Sequence, residues 1–131
     1  MRGLVVSQDP QHIVIRSYRD LVVWRKPMDL AVEVYCLTRM LPERERFGLT
    51  SQLRSAAASI PSNIAEGHER GSRGDFRRHV SMARGSLAEV ETQLELARRV
   101  ELFHEAATRR VELLTAEVGR MLSTLLHRLK A

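Results

Sequence analysis

Cysteine, lysine and aromatic residues are scarce in this chain, and each scarcity excludes something. One cysteine in 131 residues, Cys36, leaves no internal disulfide to staple a small fold. A single thiol within an apolar helix is expected to serve as a small core hydrophobe. Three Phe, two Tyr and one Trp, with seven Gly and four Pro, argue against a strand-rich fold and for helices cored by Leu, Val, Ile and Ala. No stretch approaches the roughly 20 apolar residues that cross a bilayer. The early apolar run ending at Val6 is broken by Ser7, Gln8, Asp9 and Pro10, so it lacks the core of a signal peptide. The expectation is a cytoplasmic protein with no membrane partner. Glycine-rich phosphate loops, Cys-x-x-Cys pairs and nucleophile motifs are also missing, and no cofactor is expected.

What is present is helical periodicity. At this length the chain fits one domain. In a first segment Leu21, Trp24, Met28, Ala31 and Tyr35 make one stripe, while Leu30, Val34, Leu37 and Leu41 extend the apolar surface around the helix. That is more than one neighbour needs, and it predicts a second partner such as another subunit. Ser17 with Asp20 resembles a capping box that starts the helix near Tyr18. Pro27 then predicts a kink or an irregular turn near Trp24 to Pro27.

In the second segment Leu49, Leu53, Ala57, Ile60, Ile64 and Gly67 step by 4, 4, 3, 4 and 3 along one helix face, with Thr50 as the expected N-cap. Residues 55 to 59 are Ser and Ala only, which lets a neighbouring helix come close. Pro61 lies inside this pattern, where a proline typically costs about 3 kcal/mol, or else it divides two helices. Ser59, Asn63, Glu66 and Arg70 step by 4, 3 and 4 beside the core stripe, and are expected to form a polar row touching another helix or subunit.

The third segment carries a heptad seam, Phe76, Val80, Ala83, Leu87, Val90, Leu94 and Ala97, from Asp75 to about Val100. The fourth, from about Glu105 to Leu129, places Val111, Leu114, Val118, Met121 or Leu122, Leu125 and Leu129 on its stripe. Connectors at Pro42 to Gly48, Glu69 to Gly74 and Glu101 to His104 are short, which predicts antiparallel neighbours and an all-α, up-down-up-down four-helix bundle over 17–131. Residues 1–16 show no usable period and are expected to form a flexible or extended arm.

The charge is lopsided. Twenty-one basic residues stand against 16 acidic ones, and 19 of the basic residues are arginine, the side chain that grips phosphate with a planar fork. His68, Arg70, Arg73, Arg77, Arg78, His79 and Arg84 gather around the second connector, opposed only by Glu69 and Asp75. Arg70, Arg73, Arg77, Arg78 and Arg84 are the candidate nucleic-acid contacts, reading phosphate rather than bases. The alternative is a solvated face of exposed ion pairs. A carboxylate-bridged metal site in a bundle needs two Glu-x-x-His motifs and two further Glu. Only Glu101 to His104 matches, so no metal is expected. Arg-x4–6-His pairings of the kind found in helical RNases of the HEPN type occur at Arg73 with His79, Arg98 or Arg99 with His104, and Arg120 with His127. Chance alone supplies about two of these.

The run SIPSNIAEG, Ser59 to Gly67, together with Asp20-Leu21, Trp24, Tyr35, Gly48-Leu49-Thr50, Gln52-Leu53, Phe76, Gly85-Ser86-Leu87 and Glu89, resembles the 23S rRNA intervening-sequence proteins. The resemblance implies a four-helix bundle assembled into a ring, commonly a pentamer, with Ser59, Pro61, Asn63, Glu66 and Gly67 as its packing motif. A protein related in fold, the accessory variability determinant of diversity-generating retroelements, associates with a reverse transcriptase and nucleic acid. No catalytic residues carry over. Pro27, His68 in place of the usual aromatic, and Ala58 in place of a common Arg depart from the pattern. The function expected is therefore a non-enzymatic homo-oligomer that binds RNA, DNA or a nucleic-acid-processing protein through arginines. A purely structural or protein-interaction oligomer is the alternative, and an RNase the second alternative.

Overall fold

In the computed structural model the described residues are 4–5 and 14–130. The chain is all-helical in its body, with four α-helices: α1 (Val22–Thr38), α2 (Ser51–Glu69), α3 (Arg73–Arg99) and α4 (Glu105–Arg128). A two-residue antiparallel pair, β1 (Leu4–Val5) with β2 (Val14–Ile15), precedes them, and Ile15 is buried. Most of the expected N-terminal arm, 1–16, lies outside the described residues.

Each helix packs against two others: α1 on α2 and α4, and α3 on α2 and α4. The core between them is aliphatic. The third-segment seam from Val80 to Ala97 is fully buried, with Phe76 at its margin. On α4 the inward side chain is Leu122 rather than Met121. The small-residue run does bring helices together. A Cβ added to Gly67 would lie 2.6 Å from the Cβ of His79, and Ser59 Oγ lies 2.6 Å from Ser86 Oγ on α3.

Several local expectations need correction. The Ser17/Asp20 capping box forms, with Asp20 accepting from the backbone N–H groups of Arg16 and Ser17. It caps only a 3-10 turn, Tyr18–Asp20. Leu21 then turns extended, and α1 starts afresh at Val22. The irregular turn therefore precedes Trp24 to Pro27, and Pro27 is buried inside a continuous α1. Thr50 is not an N-cap: it is already helical (φ −56, ψ −53) and makes no capping bond, because Arg46–Thr50 winds as a π-turn directly into α2. The missed cap is Ser72, whose Oγ accepts from the Asp75 N–H at 3.1 Å and starts α3 at Arg73.

Pro61 sits within one unbroken helix, α2. Asn63 Nδ2 donates to the Ser59 carbonyl, two residues before the proline, at 2.9 Å. Cys36 is exposed, not a core residue. The inward stripe of α1 is Leu30, Val34 and Leu37, and position 36 falls on the opposite side.

Candidate functional site

Half of the basic cluster proposed from sequence belongs elsewhere. His68 and His79 are core residues, 3% and 2% exposed. Arg70 lies at the end of α2 and spends its charge on Glu66, at 3.1 Å. That bond is also the main cause holding the Glu66 carboxyl below its ordinary pKa. Arg73 Nη2 donates to the carbonyl of Arg128, tying the second connector to the last turn of α4. A basic side chain is favourable there, since the carbonyls at a helix C-terminus carry partial negative charge.

Arg77, Arg78 and Arg84 do come together. On α3, Arg77, Ser81 and Arg84 step by 4 and 3; Ser123 and His127 on α4 and Lys130 just past its end are spaced in the same way. These two rows, with Arg78, line an open groove of about 640 Å³ between the start of α3 and the end of α4. Among the described residues no carboxylate lines it. Asp75 lies 4.0 Å from Arg78, while among the described residues Arg77, Arg84 and Lys130 form no ion pair. Elsewhere four acids are matched by bases: Glu117 with Lys26, Glu33 with Arg110, Glu112 with Arg98 and Glu95 with Arg99. Such exposed pairs are worth about 0–1 kcal/mol each. The groove keeps three cations, Arg77, Arg84 and Lys130, free of any ion pair among the described residues, beside Arg78, which Asp75 meets at 4.0 Å. Its guanidinium, ammonium and hydroxyl donors can hold anionic oxygens by charge-assisted hydrogen bonds.

Sequence reasoning missed Ser81, Ser123, His127 and Lys130. The last two were visible as basic residues closing α4, but a helix C-terminus attracts such residues for its own reasons. Only the pairing of α3 with α4 puts them opposite Arg77 and Arg84.

The motif residues serve packing. Ser59 and Asn63 are half-buried, Pro61 and Gly67 are buried, and Glu66 is exposed. The polar row meets α3 twice, at Ser86 through Ser59 and at His79, whose Nε2 is 3.6 Å from Glu66 Oε1.

A second surface lies on the outside of α1. Met28, Val32 and Tyr35 are 37%, 56% and 43% exposed, and with Trp24 and Cys36 they border a groove of about 580 Å³ whose far wall is Ala58, Pro61, Ser62 and Ala65 of α2. Arg54 lies 4.7 Å from the centre of the Tyr35 ring. Among the described residues no group of three or more His, Cys, Asp or Glu could hold a metal ion, and no helix is long and apolar enough to cross a membrane.

Fold and surfaces together define a small all-helical bundle protein with a cationic groove and an apolar flank. The pattern of the 23S rRNA-intervening sequence proteins matches residues 19–124, and the chain belongs to that family. A crystal structure of a protein of unknown function from the S23 ribosomal protein family of Bacteroides thetaiotaomicron is similar, with a TM-score of 0.74 and 27% identity over 80% of this chain and 98% of that one. No curated protein matches the chain significantly.

Proposed function

We propose that this protein is a non-enzymatic, oligomeric up-down-up-down bundle that binds nucleic acid through the groove between α3 and α4. The antiparallel course is supported by cross-helix pairs whose numbers rise on one helix as they fall on the next, such as Gln52 with Gln93 and Ser59 with Ser86. The observation that carries the binding reading is the carboxylate-free groove with Arg77, Arg78, Arg84 and Lys130 on its walls. No Phe, Tyr or Trp lines it for base stacking, so the contact is to phosphate and little sequence is read. Mixed-sequence RNA and DNA should bind with an affinity that falls steeply with salt, by a log–log slope of about −0.9 per phosphate contact on duplex DNA. An Arg77→Ala/Arg84→Ala/Lys130→Ala variant removes three contacts and should flatten that slope by about 2.7. Arg99→Ala, whose side chain is already bonded to Glu95 at 2.9 Å, should leave it unchanged. Equal binding by the triple variant would defeat the assignment.

The reading as a protein-interaction oligomer has its own observation, the apolar flank of α1. A ring follows if heterologous contacts through that flank close, five subunits being the number the family resemblance implies; contacts that do not close would give filaments. For the RNase alternative, the Arg73 and His79 spacing counts against it, because His79 is buried with Nδ1 at 2.9 Å from the Asp75 carbonyl.

A further inference from the structure

The corner where α2 ends and α3 begins buries two imidazoles, and they are provided for unequally. His79 has the Asp75 carbonyl on one nitrogen and Glu66 within 3.6 Å of the other. His68 is 3% exposed, and neither of its ring nitrogens has a hydrogen-bond partner among the described residues. What it has is Phe76, edge-on at 5.9 Å between ring centres and 83° between planes. The corner leaves little slack, since Gly67 beside it is already pressed against His79 and Phe76.

A neutral imidazole needs one donor and one acceptor; the cation brings two donors and a full charge. Among the described residues no acceptor stands ready for it. On α2, Glu69 is exposed and favours the cation less than burial disfavours it, while Glu66 is engaged by Arg70 and His79. On α3, the Asp75 carboxylate takes the Ser72 hydroxyl and Arg78, and Arg73 reaches across to α4. On the Tyr18–Asp20 turn that packs against α2, Asp20 is taken by two backbone N–H groups and is influenced by Arg25 at the start of α1, and Arg19 lies over Tyr18 and Trp24.

We propose that His68 is an acid-sensitive latch: neutral, it seats the last turn of α2 against Phe76; protonated, it leaves that seat and opens the α2–α3 corner. The latch stands on this corner alone and does not depend on what the basic groove binds. Its sign follows from burial, which holds the folded-state pKa below the ordinary imidazole value. The folded chain then takes up fewer protons than the unfolded one. The corner's stability is complete above about pH 6.5 and declines as pH falls below it, until the folded pKa is passed.

The test compares the full chain with His68→Phe, in which a phenyl ring keeps the edge-on packing and carries no proton. Urea unfolding from about pH 7 down to about pH 5.5 should show the wild-type unfolding constant rising by up to about tenfold per pH unit relative to the variant. Hydrogen exchange over residues 64–80 should speed up in step. Parallel pH profiles for the two proteins would overturn the proposal. If His68→Phe does not fold, NMR titration of the wild-type imidazoles decides: a His68 midpoint below those of the exposed His104 and His127 supports the latch, and one at or above them overturns it.

Discussion

Replacing Gly67 by alanine tests the close approach of α2 and α3 with a single carbon atom. The new Cβ would sit 2.6 Å from His79 Cβ, 3.1 Å from its Cγ and 3.3 Å from Phe76 Cδ1. The first of these neighbours is fixed to the α3 backbone and cannot rotate away, so the two helices must separate by about 1 Å to restore ordinary contact. Overpacking of this kind costs about 1–3 kcal/mol. Against that, alanine in a helix interior is favoured over glycine by about 1 kcal/mol. The sum is a net destabilisation of up to about 2 kcal/mol. The control is Gly85→Ala on α3, where a Cβ meets nothing within 4 Å. There only the propensity gain remains, and the variant should be stabilised by about 0.5–1 kcal/mol. Urea denaturation of both variants at neutral pH reads the difference directly. A Gly67→Ala protein as stable as the Gly85→Ala protein would refute the close packing.

Other perturbations have equally definite outcomes. Glu101 ends α3 with φ 60, while its N–H and that of Leu102 close the helix onto the carbonyls of Arg98 and Ala97; Glu101→Gly should raise stability by about 1 kcal/mol in thermal denaturation. Acid unfolding should depend on Glu66: its pKa is lowered mainly by Arg70, so its contribution is present above the ordinary carboxylate value of 4.5 and lost as pH falls through the folded one, and Glu66→Gln should shed that part of the acid limb. If the apolar flank joins copies of this chain as proposed, sedimentation should find the wild type as a discrete oligomer and Val32→Glu with Tyr35→Glu as a monomer; an unchanged mass would refute that use of the flank.

The helices were legible because their apolar periods are long and regular. The seam from Val80 to Ala97 and the stripe from Leu53 to Gly67 became the buried faces of α3 and α2. Helix starts were less legible, since they turn on one or two dihedral angles. Ser17 and Asp20 made a true capping box on the wrong helix, and the equivalent Ser72 and Asp75 signal passed unnoticed. Thr38, Thr108 and Thr115, buried and polar, also escaped, because each returns its hydroxyl to a carbonyl three or four residues earlier and so passes as an apolar filler. The groove was half legible. Arg77, Arg78 and Arg84 lie close together along the chain, whereas Lys130 and His127 join them only through the pairing of α3 with α4.

The connector between α2 and α3, Arg70–Ser72, spans three residues and turns at Gly71 with φ 78. Closing so short a loop carries a small entropy cost, and it is repaid at once by the tightest helix pair in the molecule. The contact between α1 and α4 sits at the other extreme, for Glu33 and Arg110 are separated by 77 residues. Folding should therefore begin at the α2–α3 hairpin and end with α1 and α4. Mutations at Ser86 or Ile60 would slow the folding rate, while those at Val34 or Val118 would act mainly on unfolding. The apolar flank of α1 then belongs to a helix that docks late, so the surface on which the proposed oligomer relies is complete only when the rest of the bundle is nearly formed.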